Sequence, residues 1–395
     1  MMTDTQYTPT HEKLWHREFW MLTFANLFLS MSVCMLIPIL PKYLMEVEDL
    51  SSWQVGIVMG VYSLGLFVFG PLCNWLIQRN RRNSVCLWAV LLMVASLALF
   101  THGHQWLGEV SHDMIIYTFY RFVLGAFFGL SQMVLCSTLI IDISESFKRT
   151  EANLTVAWFG RMGLPFGALL AIALDVYFPG GDYMAFDVSA ILSIVAFILI
   201  MSVKFPFKVP DENVSHFSLD RFFLSSAWLP FLNLILITTA VGILLTMKAS
   251  LLFYGMLLLG LTLALLSEKH IDKLLDPKVE TMTGLAFMAL ASLISMTMQE
   301  ISIYITPMLI GYGLGLVGTR FLLYFIQLSL HCQRGTSQSS FFLAWECGIG
   351  LGLFVGYSLL SEYEEKSKFM LALLVTAWII YKYGTYTWCV KHKNR

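Results

Sequence analysis

The sequence predicts an all-α protein that crosses a membrane with twelve helices. Three observations carry that prediction. The 395 residues are 57% hydrophobic and only 13% charged, about half the charge of a soluble domain. The apolar residues gather into long runs rather than scattering. The punctuation between those runs is rich in Lys and Arg on alternate sides.

The runs cover residues 19–45, 55–77, 85–100, 114–143, 154–177, 183–203, 222–247, 250–266, 282–298, 301–330, 340–360 and 369–390. A helix needs roughly 20 apolar residues to cross the hydrocarbon core. Lipid offers no partner for free backbone groups, so only helices and closed barrels span it. Barrel strands would be short and alternating, whereas these runs are continuous. Residues 1–17 are polar, and the first run is too long for a signal-peptide core and has no small-residue cleavage site after it. The first helix is therefore expected to act as its own insertion signal.

Lys and Arg locate the two faces. With a cytoplasmic N-terminus, only Lys42, Lys248, Lys366 and Lys368 fall outside, and Arg121, Arg161, Arg320 and Lys382 fall within runs. The rest of the 25 Lys and Arg lie on the cytoplasmic side. A missed helix would scramble that bias. The expectation is a multi-pass protein of a cell (inner) membrane with both termini cytoplasmic. Its short loops suit a bacterial membrane.

Residues 204–221 (KFPFKVPDENVSHFSLDR) form the longest polar internal stretch and contain Pro206 and Pro210. They divide the chain into a six-helix bundle at 1–203, a cytoplasmic linker at 204–221 and a second six-helix bundle at 222–395. No soluble domain is inserted and no GxxxxGK[ST] phosphate loop occurs, so any transport must run on a gradient or be passive. A net charge of −1 offers no basic excess for nucleic acid. The seven cysteines are scattered, without metal-ligand spacing or a CxxC pair. No nucleophile set or paired carboxylates stand at a membrane face, which argues against an enzyme. No cofactor or metal is expected. His102, His104 and His112 read as solvated loop residues.

Local motifs add detail. GPLCNWLIQRNRR (70–82) follows the second run, RFVLGAFFG (121–129) lies in the fourth, and GRMGLPFGALLA (160–171) lies in the fifth. Asp142 and Arg149 form an acidic-then-basic pair after the fourth run. Glycines four residues apart share a helix face and let helices approach closely. With the six-plus-six layout, these segments resemble the major facilitator superfamily and its twelve-helix efflux branch. Gly70, Leu72 and Arg79 match its loop motif, with Asn74 where the family has Asp, Trp75 where it has Arg and Ile77 where it has Gly. Arg121, Gly125 and Gly129 match its fourth-helix pattern. Gly163, Pro165 and Gly167 resemble its antiporter signature in displaced form. The resemblance implies two bundles related by a pseudo-two-fold axis along the membrane normal, with substrate at the midplane between them.

Charges within a membrane helix cost roughly 2.5–3.5 kcal/mol each and need a reason. Arg121 reads as a cavity residue that binds an anionic group or tunes a proton carrier; the alternative is a structural role at backbone carbonyls. Glu346 reads as the one acidic residue inside a C-terminal helix. Burial favours the neutral form of a carboxyl group, as a proton carrier requires. Arg320 and Glu346 lie at similar depth on neighbouring helices, so they can form a static ion pair or a pair that breaks during transport. Arg161 either faces the cavity beside Arg121 or pairs with Asp142. Asn26, Gln132, Asn233 and Gln327 can bond substrate or glue helices together. Lys382 is expected to snorkel to the interface.

The sequence reading is thus a monomeric secondary transporter in contact with membrane lipid, moving a small-molecule substrate by proton-coupled efflux. An uptake permease for a small polar or anionic metabolite is the first alternative. A non-transporting sensor or assembly partner, prompted by Asn74, Trp75 and Ile77, is the second.

Overall fold

The structure is a computed structural model that describes residues 14–107, 114–178, 180–205, 214–247, 250–271, 276–297 and 300–394. Pro206, Pro210, His112, Lys13, Lys208, Lys248, Lys273 and Arg395 lie outside the described residues, as do the side chains of His104 and Lys269. Among the described residues there is no strand. Among the same residues eleven helices are long and apolar enough to cross a membrane, and a bent pair counted as one span makes twelve.

In chain order the first half comprises α1 (Arg17–Glu46), α2 (Ser52–Gly65 then Gly70–Arg79), α3 (Arg82–Leu107), α4 (Met114–Asp142), α5 (Arg149–Tyr177) and α6 (Gly181–Met201). The second comprises α7 (Trp228–Leu245), α8 (Leu251–Ile271), α9 (Pro277–Met296), α10 (Ser302–Leu328), α11 (Arg334–Ser358) and α12 (Tyr363–Lys391). Large apolar side chains such as Trp88, Ile115, Phe119 and Leu266 point outward. In water so much exposed apolar surface would be a liability; against lipid tails it is neutral.

The two halves repeat one packing scheme. In the first, α1 packs on α5 and α6, α2 on α4, α3 on α4, and α3 on α6. The second shows the same five pairings six helices later: α7 on α11 and α12, α8 on α10, α9 on α10, and α9 on α12. The halves meet through α2 against α11 and α5 against α8, which that repeat also makes equivalent, with further contacts of α4 on α11 and α5 on α10.

Three helices depart from the continuous runs expected from sequence, α12 through a π-helical turn over Tyr381–Thr385. The pieces of α2 meet at 44°. Pro71 stands second in the second piece, in the first turn, where its missing N–H and fixed φ suit a helix start but break a helix interior. An apolar run hides such a break because the flanking residues stay apolar. α4 widens to a π-helical turn over Leu135–Leu139. The helices also extend past the apolar runs at polar ends, α3 beginning at Arg82 and α5 at Arg149.

The described part of the 204–221 segment docks on both halves. Ser218 N–H donates to Pro71 O (3.0 Å) and His216 stacks on Trp75 (5.2 Å). Arg221 N–H donates to Thr336 Oγ1 on α11 (3.0 Å).

Candidate functional site

Buried polar groups within one half mostly find partners. Ser32 on α1 bonds Ser193 on α6 (2.7 Å), and Ser295 on α9 bonds Ser367 on α12 (2.7 Å). The seam between the halves differs. It holds a cavity of about 40 Å³ whose lining includes Asn26, Gln132, Arg161, Gln338, Trp345 and Glu346. The side chains come from α1, α4, α5 and α11, so both halves build it.

Glu346 lies on α11 and takes a hydrogen bond from Tyr62 Oη on α2 (3.2 Å). The Arg121 guanidinium on α4 sits over the same Tyr62 ring, 4.7 Å from its centroid. Arg121 is 1% exposed, and its Nε and Nη1 have no hydrogen-bond partner among the described residues. A cation on an aromatic face gains about 2 kcal/mol when desolvated, less than its dehydration costs, so the ring alone does not satisfy it. A line of Arg121, Tyr62 and Glu346 thus crosses from one half to the other.

The expected Arg320–Glu346 pair does not form. Arg320 on α10 is ion-paired to Glu280 on α9, inside the second half. Glu280 is fully buried, so Glu346 is not the one acidic residue within that half's helices. Sequence reading missed Glu280 because it follows Asp276, Pro277 and Lys278 and looks like loop punctuation. The structure starts α9 at Pro277, with Glu280 in its first turn, where a carboxylate also meets the positive end of the helix dipole.

Arg161 resolves in favour of the cavity. Its rival partner Asp142 is bound to Arg82 at the start of α3. Arg161 leans across the seam. Nη1 donates to Gly315 O (3.3 Å) and to Thr319 Oγ1 (3.4 Å), both on α10, and Nε donates to Ala157 O (3.2 Å). Its guanidinium lies 4.0 Å from the Trp158 ring centroid and 5.9 Å from that of Trp345. Trp158 in turn donates to Glu268 Oε2 on α8 (3.0 Å). Among the described residues no carboxylate pairs with Arg161.

Other sequence candidates scatter. Asn26 lines the cavity while its Nδ2 donates to Val156 O on α5 (2.9 Å). Asn233 is not at the cavity; a 2.9 Å side-chain bond joins it to Thr385 on α12. Gly125 and Gly129 lie against the α2 backbone at Tyr62 and Leu66, and Gly163 and Gly167 against α1 at Ser30 and Met31, with Pro165 between them in α5. Gly70 faces the Phe222 ring. Arg79 stacks over Trp75 (5.6 Å). Asn74 Oδ1 and Arg149 Nε are buried without a partner among the described residues. Lys382 lies over Trp378 (5.3 Å).

Sequence reasoning missed the contacts that close the seam at each end. On the face bearing the termini, Arg221 Nη1 donates to Ser137 O in the wide turn of α4 (2.6 Å), while its own N–H donates to Thr336 Oγ1 on α11 (3.0 Å). Arg221 has a φ of 62°, a region a non-glycine residue enters only when its surroundings hold it there. Arg334 Nη1 donates to Ser146 O (3.1 Å). Arg334 thus meets a carbonyl just beyond the C-terminal end of α4, and Arg221 one inside its π-helical turn. On the opposite face Ser52 Oγ donates to Tyr357 O (2.7 Å) and Ser358 Oγ to Trp53 O (3.2 Å). A short polar loop signals no such bond by itself.

Among the described residues no three His, Cys, Asp or Glu side chains gather as a metal site. His102 faces Asp187 at 3.7 Å.

Comparison with known proteins bears on what such a seam does. The family profile described as Major Facilitator Superfamily matches residues 22–380. Among solved structures, a bacterial homologue of the iron transporter ferroportin in an outward-facing state superposes at a TM-score of 0.66 with 18% identity, covering 95% of this chain and 100% of that one. The peptide-transporter-family protein PepTSo gives 0.70 and 14%, covering 95% and 99%. The human organic anion transporter MFSD10 gives 0.68 and 13%, covering 92% and 99%. At these identities the likeness shows the fold. A search of curated proteins found no match.

Proposed function

The chain belongs to the major facilitator superfamily, and from that premise we propose that it is a secondary transporter. It moves a small solute through the seam cavity by alternating access, with Glu346 as the proton carrier.

One observation carries this reading. Glu346 lines the cavity, yet its hydrogen bond comes from Tyr62 on the opposite half. Rocking the halves apart must lengthen or break that bond. Whether the carboxyl carries a proton therefore changes the free energy of the closed seam relative to the open one. That differential is what couples an ion to a conformational change. A carboxyl inside one half, like Glu280, offers no such lever.

Both ends of the seam carry bonds that can break in turn. The Arg221 and Arg334 bonds close the face with the termini, and the Ser52 and Ser358 bonds close the other. Each is a hydrogen bond worth about 1 kcal/mol net, or about 1.5–3 where the donor is charged, weak enough for a solute and a proton to shift the balance. The proposed setting is a cell membrane with the termini in the cytoplasm, supported by the Lys and Arg bias. Export as a monomer is the proposed mode, supported by the likeness of Gly163, Pro165 and Gly167 to the antiporter signature.

Spin-label distances test the reading without knowledge of the solute. Cys332 is the one exposed cysteine among the described residues, so a Cys332→Ser background suffices. Label pairs at Val47 and Leu359 report one face, and pairs at Phe147 and Leu330 report the other. The expected result is two populations at each face whose weights move in opposite directions with pH. A single unchanging distance at both faces would refute alternating access.

A further inference from the structure

The seam cavity holds a cation that no carboxylate among the described residues meets directly. Arg320 is neutralised by Glu280 away from the seam. What remains is Arg161 and Glu346 in the lining, and Arg121 behind Tyr62. Glu346 is held by Tyr62 beside Arg121, and Glu268 lies beyond the Trp158 ring that stacks on Arg161, so neither carboxylate pairs directly with Arg161.

Arg161 is 4% exposed. Its recorded partners are neutral: two carbonyls, one hydroxyl and two indole rings. Nη2 carries two N–H groups and has one bond, a long 3.4 Å contact to a hydroxyl that also serves Nη1. A buried guanidinium left this way costs more than it returns unless an anion completes it. Neighbouring lining groups are also incomplete. Gln132 Nε2 is a donor without a partner, and Gln338 Oε1 is an acceptor without one; these side chains are 2% and 3% exposed. Phe341, Phe342 and Trp345 supply an apolar wall.

We infer that the solute is a small organic monoanion, a carboxylate that also carries a hydrogen-bond donor and an apolar face. The carboxylate accepts from Arg161 and Gln132, the donor satisfies Gln338, and the apolar face lies on the aromatic wall. A cavity of about 40 Å³, where a water needs about 10–15 Å³, has room for a small hydroxy acid. A cation would meet the Arg161 guanidinium with like charge.

This inference rests on the cavity being the solute path, and its test separates the two. Purified protein in detergent is titrated, with melting midpoint and calorimetry as readouts, against lactate, mandelate and indole-3-lactate, their neutral amides, and 2-amino-1-phenylethanol as the matched cation. At least one hydroxy acid is expected to raise the midpoint while its amide does not. Arg161→Gln is expected to weaken that binding by about tenfold or more, the worth of a charge-assisted bond. Arg161→Lys keeps the charge and is expected to retain part of the affinity, which guards against a variant that fails to fold. Equal or tighter binding of the amides or the amine, unchanged affinity in Arg161→Gln, or no binding by any acid would each overturn the anion assignment. If the spin-label pairs still alternate, only the solute class falls; if they do not, the transporter reading falls as well.

Discussion

The Arg320–Glu280 pair and the Arg121–Tyr62–Glu346 line place the same chemistry, guanidinium and carboxylate, at two kinds of address. Arg320 and Glu280 sit on α10 and α9, which pack together in one half. They meet directly and stay together however the halves move. Arg121 and Glu346 sit on opposite sides of the seam, with a tyrosine between them and unpartnered N–H groups on the arginine. The difference teaches that, in this fold, a charge's address relative to the seam separates holding from working. Paired charges inside a half secure helix packing, whereas incompletely paired charges at the seam keep capacity for a solute and a proton.

Breaking the inner pair should have the largest effect on stability. Glu280→Ala removes the carboxylate paired with Arg320 and is expected to cost about 3–5 kcal/mol, read as a large loss of folded protein in a detergent melt. The double variant Glu280→Gln with Arg320→Gln should recover much of that loss. If Glu280→Ala melts like wild type, the pair is not a structural anchor. Next comes Gly352→Leu. Gly352 lies on α11 against the α7 backbone at Thr239 and Gly242, so a leucine forces the helices apart at about 1–3 kcal/mol; an unchanged melt would mean that this contact is loose. Glu346→Gln should cost about 1 kcal/mol or less, because an amide oxygen can still accept from Tyr62. Yet it should abolish flux driven by a pH gradient and leave counterflow exchange of a bound acid intact. Gradient-driven flux that survives would remove Glu346 from the proton path. Asn233→Ala should be smallest, about 0.6 kcal/mol for an interhelical bond in a membrane, with no change in solute affinity. Altered affinity would bring Asn233 back toward the solute path.

Much of the architecture was legible because lipid imposes simple demands. Long apolar runs and the Lys and Arg bias suffice for twelve helices, since no other pattern satisfies backbone groups in hydrocarbon. Arg121, Arg161 and Glu346 stand out because a charge in such a run is rare. What escaped has a common physical reason. Glu280 hid in polar punctuation because helices continue past the apolar stretch. Pairing Arg320 with Glu346 used depth alone, and depth says nothing about which face of a helix a residue occupies. Tyr62 gave no signal, since an aromatic residue in an apolar run is ordinary. Arg221 and Arg334 read only as loop charge, because their partners are backbone carbonyls, which every residue possesses. The break at Pro71 was the one hidden feature with a residue-level sign.

The most direct test of the central claim compares the two addresses in one experiment. Distances between labels at Val47 and Leu359 are recorded across pH in three backgrounds: wild type, Glu346→Gln, and the Glu280→Gln/Arg320→Gln double variant. The account predicts that pH redistributes the distances in wild type and in the double variant, and leaves them fixed in Glu346→Gln. A Glu346→Gln protein that still answers pH as wild type does, or a double variant that no longer answers while remaining folded, would contradict it.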